Sequence, residues 1–184
     1  MVDIFFVDAP NPASGPIPDD VAPYFQGPYF EWWNAQKSAD GSWMYENAGR
    51  SQTFIHDIFK LHGPFDGLIG FSQGAAMSAL LAGMQRLGKV LVDQPTLRCI
   101  VCFAGIRVRD PCLEEAYSAM APVDSIHIIG EKDPVKHMTN LLIQAFDSPI
   151  VIHHPRGHVI PALKGEDLQR LREFLEFHAA EAAL

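Results

Sequence analysis

The chain has 184 residues, of which 48% are apolar and 20% are charged, and its net charge is −8. This composition is typical of a folded globular protein and excludes disordered, collagen-like and coiled-coil chains. No run approaches about 18 uncharged apolar residues, so no transmembrane helix is expected. The acidic balance without Lys/Arg clusters argues against nucleic acid and anionic membrane surfaces as partners. We therefore expect one domain over residues 1–184, with no membrane insertion.

Strand-like and helix-like segments alternate along the chain. An apolar run at residues 4–7 predicts a short strand, and residues 9–45 predict a long irregular segment rich in proline and aromatic residues. Helices are then predicted over residues 46–61, 75–87, 113–118, 135–146 and 168–180, the first from an apolar stripe and the second from its small residues. Strands are predicted over residues 68–71, 99–103, 126–129 and 150–152. Strands separated by helices form a mostly parallel sheet covered on both faces, so the predicted class is α/β.

The three cysteines are Cys99, Cys102 and Cys112, too few for a disulfide framework. Cys99 and Cys102 lie three apart in a predicted strand, so their side chains are expected on opposite faces of the sheet. We interpret them as buried structural thiols, with redox or metal use as the alternative. A reducing cytoplasmic compartment is the simplest location for such a chain.

The segment Gly70-Phe71-Ser72-Gln73-Gly74 follows an apolar strand and opens an alanine-rich helix. This context predicts a nucleophile elbow, a tight turn that exposes Ser72 at the helix N-terminus. Gly70 and Gly74 are expected to leave room where a Cβ would collide. The backbone N–H of Gln73 is the predicted oxyanion donor. The alternative is an ordinary strand-to-helix turn with an incidental serine.

A serine nucleophile needs a base, and the base needs an acid to orient it. Asp133 and His158 each follow a predicted strand, so both lie at the sheet edge where the elbow presents Ser72. Their chain order of serine, acid and histidine is that of hydrolases built on such an elbow. Glu131 is the rival acid, and Asp133 is preferred because it immediately precedes a helix that starts with proline.

Histidine occurs eight times in the chain, so single histidines mean little. A metal site could be suspected at His153, His154 and His158, but adjacent residues on a strand face opposite ways and do not converge on one ion. No metal ion or other cofactor is therefore expected.

Aromatic residues concentrate in the proline-rich segment, where Tyr29, Trp32 and Trp33 lie close together. Long ordered loops in compact domains are usually functional. One interpretation is that these rings cover an edge of the sheet. The other is that they line an apolar substrate pocket beside Ser72, suited to an acyl or alkyl chain.

Together these motifs resemble the FSH family of serine hydrolases, which are α/β-hydrolases related to the ovarian-cancer-associated-2 esterases. The resemblance is carried by FVDAP at 6–10, PYFEWW at 28–33, GPFDG at 63–67, GFSQGA at 70–75, GEKD at 130–133 and HHPRGH at 153–158. It implies a metal-free esterase or thioesterase acting on small-molecule esters with an apolar acyl or alkyl chain. Carried over by position, Ser72 is the nucleophile, Asp133 the acid and His158 the base.

One part of the family pattern has no counterpart. Members begin with a strand that ends in a His-Gly loop and lies between the strands matched by residues 4–7 and 68–71, and this chain starts downstream of it. The resemblance thus implies an N-terminally shortened α/β-hydrolase lacking half of the oxyanion hole. We expect residues 4–7 to pair directly with residues 68–71, rather than to detach or to leave the gap to a strand from a second chain.

The missing strand and oxyanion loop leave a second function possible. A non-catalytic or weakly active binding protein of the same fold would retain the pocket without efficient chemistry. The sequence also leaves open whether the chain is a monomer or a homodimer.

Overall fold

A computed structural model describes residues 2–17 and 26–181 of the chain. Its strands are β1 (Asn11–Pro12), β2 (Phe30–Glu31), β3 (Asn34–Lys37), β4 (Trp43–Glu46), β5 (Gly67–Phe71), β6 (Cys99–Phe103), β7 (Asp124–Gly130) and β8 (Ile150–His154). Its α-helices are α1 (Ala48–His62), α2 (Gln73–Arg86), α3 (Glu114–Ala119), α4 (Lys136–Ile143) and α5 (Gly165–Glu181). In the described part of the chain, no helix is long and apolar enough to cross a membrane.

The central sheet consists of β5, β6, β7 and β8, all parallel and in that spatial order. Each crossover between neighbouring strands contains a helix, as the alternating pattern predicted. Because the strands are parallel, their carboxyl ends meet at one edge of the sheet. The loops that follow β5, β7 and β8 therefore all emerge at this edge.

Hydrophobic clusters cover both faces of this sheet. Side chains of α1 to α4 pack with Ile100 and Cys102 on one face, and Phe174 of α5 packs with Cys99 and Val101 on the other. The prediction that Cys99 and Cys102 face opposite ways is thus confirmed. Burial raises the pKa of both thiols to about 12, so neither forms a reactive thiolate near neutral pH.

The five predicted helices are present, with shifted ends. Helix α1 begins at Ala48 rather than at residue 46, because strand β4 continues to Glu46 and Asn47 adopts a left-handed conformation with φ 66°. The helix ends before Gly63, as the Gly-Pro pair predicted. Helix α4 is shorter than predicted and ends at Ile143.

The predicted strand at residues 4–7 is wrong. These residues form no strand and are exposed, with Ile4 at 53% and Phe6 at 86% of full accessibility. The predicted direct pairing with β5 is therefore also wrong. An apolar run becomes a strand only where a neighbour supplies backbone partners, and here the ring of Phe5 instead stacks on His62 at the end of α1, with centroids 4.7 Å apart.

Strand β5 is only partly buried, although the predicted sheet is covered on both faces. Among the described residues, its one pairing partner is β6, so it forms an edge of the sheet. Ile69 at its centre is 46% exposed.

The segment at residues 9–45 is more regular than predicted. In its described part, β1 pairs antiparallel with β2, and β3 forms an antiparallel hairpin with β4. Residues 18–25 of the predicted irregular segment lie outside the described residues. Trp33, between the two small sheets, is only 3% exposed and belongs to the core that contains α1 and α2.

Candidate active site

Ser72 occupies the turn between β5 and α2. Its backbone has φ 51° and ψ −113°, a conformation that is strained for a residue with a side chain. Its N–H donates to the carbonyl of Phe103 at 2.9 Å, which continues the hydrogen bonding between β5 and β6 by one residue. The sheet thus holds the serine in a tight turn, as predicted, and the strain of that turn is an additional finding.

The two glycines of the turn differ in their roles. A Cβ on Gly70 would lie 2.4 Å from the backbone N of Ala75, so this position requires glycine, as predicted. A Cβ on Gly74 would meet Nε1 of Trp32 at 3.5 Å, an ordinary contact, so the predicted collision at Gly74 is wrong.

Ser72, His158 and Asp133 form a continuous chain of contacts. Nε2 of His158 lies 2.9 Å from Oγ of Ser72, and Nδ1 of His158 lies 2.8 Å from Oδ2 of Asp133. The Asp133 side chain is fully buried, whereas that of His158 is 19% exposed. The ring of Phe71 packs against the imidazole, with centroids 4.9 Å apart. Three residues that are far apart in sequence therefore meet at the carboxyl edge of the sheet.

The two candidate acids occupy different surroundings. Both oxygens of Asp133 are engaged, because Oδ1 accepts a hydrogen bond from the backbone N–H of Val135 at 2.8 Å. Glu131 is exposed and pairs with Lys136 and His153, and its hydrogen bond with Lys136 lowers its pKa. Asp133 is thus the carboxylate that contacts His158.

His153 and His154 at the end of β8 face opposite ways, as expected for adjacent strand residues. His153 is exposed and contacts Glu131, whereas His154 is buried and its pKa is lowered by that burial. Among the residues described, no three His, Cys, Asp or Glu side chains form a group that could hold a metal ion.

The Gln73 side chain makes contacts that the sequence did not reveal. Its Oε1 accepts a hydrogen bond from the backbone N–H of Trp32 at 2.6 Å, and its Nε2 donates to the carbonyl of Trp33 at 2.8 Å. Only the backbone of Gln73 was assigned a role from sequence, as an oxyanion donor, and that role stays a prediction. The local sequence pattern could not predict these side-chain contacts, because Trp32 and Trp33 lie some 40 residues before Gln73 in the chain.

The three aromatic residues predicted to bind substrate occupy different positions. Trp32 lies against the turn at Gly74, and Trp33 packs edge-on against Tyr45 with ring centroids 6.0 Å apart. Tyr29 is half-buried, and its carbonyl accepts a hydrogen bond from Ala13.

Trp33 lines a cavity of about 150 Å³ between the hairpin, α1, α2 and the loop after β6. The other residues that line it are Tyr45, Ala48, Gln52, Met77, Leu80, Val108, Asp110 and Leu113. Contact of Tyr29, Trp32 and Trp33 with a substrate stays a prediction.

A parallel sheet flanked by helices, with a serine turn after one strand and histidine and aspartate loops after two others, defines an α/β-hydrolase. The fold matches that of acyl-protein thioesterase 2 from Zea mays, with a TM-score of 0.61 over 82% of this chain and 73% of that one at 18% identity. The family described as Serine hydrolase (FSH1) matches residues 1–169. The chain belongs to this family of hydrolases.

Two curated relatives are equally similar in sequence but differ in how much of their own length this chain covers. Esterase OVCA2 of Bos taurus is 32% identical over 174 residues, which span 88% of this chain and 72% of that protein. Dihydrofolate reductase of Schizosaccharomyces pombe is 32% identical over 142 residues, which span 73% of this chain but only 30% of that protein. The family match and the esterase relative support hydrolase activity.

Proposed function

We propose that this chain is a serine hydrolase that cleaves carboxylic esters through an acyl-serine intermediate, with Ser72, Asp133 and His158 as its catalytic triad. The observation that carries the proposal is the unbroken line of contacts from Oγ of Ser72 through both ring nitrogens of His158 to the buried carboxylate of Asp133. The strained serine turn at the start of α2 supports it independently.

In the acylation step, Nε2 of His158 takes the hydroxyl proton of Ser72 while Oγ attacks the ester carbonyl carbon. The carbonyl oxygen becomes an oxyanion, and the backbone N–H of Gln73 at the N-terminus of α2 donates a hydrogen bond to it. When the tetrahedral intermediate collapses, the bond to the alkoxy oxygen breaks and His158 returns the proton to it. The alcohol leaves and Ser72 carries the acyl group.

Deacylation repeats these steps with water as the nucleophile. His158 takes a proton from water as the water oxygen attacks the acyl carbon. His158 then returns a proton to Oγ of Ser72 as the carboxylic acid leaves. Asp133 stabilises the imidazolium that forms in each step and keeps the ring oriented. Its full burial strengthens this interaction, because water does not screen it.

The substrate proposed is a small-molecule ester with an apolar acyl or alkyl chain. Support comes from the aromatic rings beside the elbow and from the cavity that Trp33 lines. Oxygen esters and thioesters give the same acyl-serine intermediate, so a matched panel of p-nitrophenyl esters and acyl thioesters is the measurement that separates an esterase from a thioesterase.

A fluorophosphonate probe tests the nucleophile directly, because it reacts with activated serines. We expect one covalent adduct, located on Ser72 by peptide mass spectrometry and absent from Ser72→Ala. Ser118→Ala, which removes an exposed serine of α3, is the matched control and retains the label. A folded chain that neither reacts with the probe nor hydrolyses any ester would instead be a binding protein of this fold.

A further inference from the structure

The Gln73 amide connects the residue next to the nucleophile to the aromatic segment. It accepts a hydrogen bond from the N–H of Trp32 at 2.6 Å and donates one to the carbonyl of Trp33 at 2.8 Å. Few side chains can make both bonds, because an amide carries a donor and an acceptor at once whereas a carboxylate only accepts. The amide thus bonds two backbone groups of the Trp32–Trp33 segment at once.

Other elements hold a third backbone group of the same segment. The carbonyl of Trp32 accepts hydrogen bonds from Oγ of Ser51 in α1 at 2.5 Å and from Nδ2 of Asn11 at 3.2 Å. Asn11 and Ser51 are both buried and bond to each other at 3.0 Å. These two residues fix the segment to α1 and β1, whereas Gln73 fixes it to the elbow.

This bond pattern ties the aromatic rings to the atoms proposed to react. Gln73 is the first residue of α2 and directly follows Ser72, so its main chain cannot shift without moving the serine and the proposed oxyanion donor. Trp32 lies against Gly74, the next residue of the helix, and the buried ring of Trp33 forms part of the cavity wall. The segment's position relative to Ser72 therefore depends on the Gln73 side chain.

We propose that the side chain of Gln73 is a positioning residue for substrate selectivity: by holding Trp32 against the elbow, it determines how well the acyl chain of the ester is bound relative to the reacting carbonyl. This inference rests on the proposed function and adds to it the residue through which the aromatic segment acts. An acetyl group is too short to use such a surface, whereas a hexanoyl group extends several methylenes beyond the carbonyl.

The test is a double-mutant cycle with the variants Gln73→Leu and Trp32→Ala, assayed on p-nitrophenyl acetate and p-nitrophenyl hexanoate. The readout is the ratio of kcat/KM for hexanoate to that for acetate, which cancels changes in the chemistry common to both esters. Each single variant is expected to lower this ratio by about tenfold, the range given by lost contacts to a few methylenes. The double variant should lower it no further than Trp32→Ala alone, because Gln73 acts through Trp32.

Ser51→Ala is the matched control, since it removes a hydrogen bond to the same Trp32 carbonyl without touching the elbow. It is expected to lower the melting temperature while the ratio stays within about twofold of the parent chain, because Asn11 still bonds the Trp32 carbonyl and Gln73 still holds the segment to the elbow. Gln73→Glu is the second variant should Gln73→Leu fail to fold, because it keeps the acceptor for Trp32 and loses the donor to Trp33.

The outcomes separate the two proposals. An unchanged ratio in Trp32→Ala or in a folded Gln73 variant overturns the selectivity role while hydrolysis by the parent upholds the proposed function. Additive effects in the double variant, or an equal drop in Ser51→Ala, also overturn it, because Gln73 would then not act as the specific link through Trp32. A folded parent chain that hydrolyses neither ester and shows no fluorophosphonate adduct overturns both proposals.

Discussion

Gly130 and Gly157 face each other so closely that a Cβ on Gly130 would lie 2.4 Å from the carbonyl oxygen of Gly157. Around this contact, the loop carrying Asp133 and the loop carrying His158 are joined by backbone hydrogen bonds. The N–H of Lys132, for instance, donates to the carbonyl of Arg156 at 3.1 Å. The 2.8 Å contact between Asp133 and His158 therefore forms between two loops whose backbones touch directly.

We expect Gly130→Ala to reduce ester turnover, because the new methyl group would push the two loops apart. Displacements of about 1 Å can cost about 10²-fold in rate, so a loss of at least about tenfold in kcat is expected. The measurement is steady-state kinetics on a short-chain p-nitrophenyl ester together with a melting curve.

Gly157→Ala is the matched control for this substitution. A Cβ there would meet the carbonyl oxygen of Lys132 at 3.5 Å, an ordinary contact, so activity should be nearly retained. Equal losses in the two variants would show that the close contact at Gly130 does not set the geometry of the proposed triad.

Asp133→Asn is expected to abolish most ester turnover, whereas Glu131→Gln is expected to leave it nearly intact. Asp133 is the carboxylate in contact with Nδ1 of His158, while Glu131 pairs at the surface with Lys136 and His153. Removing the triad acid typically costs about 10³-fold or more in kcat. Steady-state kinetics of the two variants measures this difference. If Glu131→Gln lost most turnover while Asp133→Asn kept it, the acid would be Glu131 instead.

The relative placement of Ser72, Asp133 and His158 was predictable because it follows from topology. Each residue comes after a strand of one parallel sheet, and parallel strands bring their carboxyl ends together. Local sequence patterns were enough to locate β5, β7 and β8. The proximity of the three residues that follow these strands could therefore be predicted without knowledge of any long-range contact.

Features that depend on distant partners could not be predicted in this way. The apolar run at residues 4–7 has strand-like composition, but composition does not supply a neighbouring strand, and these residues are exposed. The same limit hid the side-chain contacts of Gln73 with Trp32 and Trp33, which join α2 to a segment folded much earlier in the chain. It also hid the exposure of Ile69, since that depends on whether β5 has a second neighbour.

The buried His127 should make the protein less stable in acid. Burial lowers the pKa of His127 from its ordinary 6.5 to about 4, because the interior disfavours the charged ring. At a pH between these two pKa values, His127 binds a proton in the unfolded chain but not in the folded chain. The free energy of unfolding therefore falls as pH drops from about 6.5 towards 4. At 1.36 kcal/mol per pKa unit, this one residue accounts for roughly 2 to 3 kcal/mol between pH 7.5 and 4.5.

Urea unfolding of His127→Gln at both pH values measures this contribution. Glutamine does not titrate and keeps a polar group for Ser125, whose hydroxyl lies 3.1 Å from Nε2 of His127. The loss of stability on acidification should therefore shrink by roughly 2 to 3 kcal/mol in this variant. His137→Gln, at an exposed histidine, is the control and should keep the parent's pH dependence. A parent-like slope in His127→Gln would contradict the prediction.

Finally, the exposed edge of β5 should promote self-association. Among the described residues, β5 pairs with β6 alone, and its five residues, Gly67–Phe71, carry no charge. An uncharged edge with unpaired peptide groups is a template for pairing with another chain, and charged side chains, especially lysine, are one means by which natural edges prevent such pairing. In an antiparallel pair centred on this strand, Ile69 would lie opposite its copy. The substitution Ile69→Lys would then place two positive charges opposite each other and disfavour the pair.

Sedimentation velocity over a range of concentrations should show association of the parent chain and a monomer for Ile69→Lys. Leu61→Lys, at an apolar residue of α1 that is 75% exposed, is the matched control and should associate like the parent. Association that persists in Ile69→Lys but disappears in Leu61→Lys would place the contact on the helix instead of on the sheet edge.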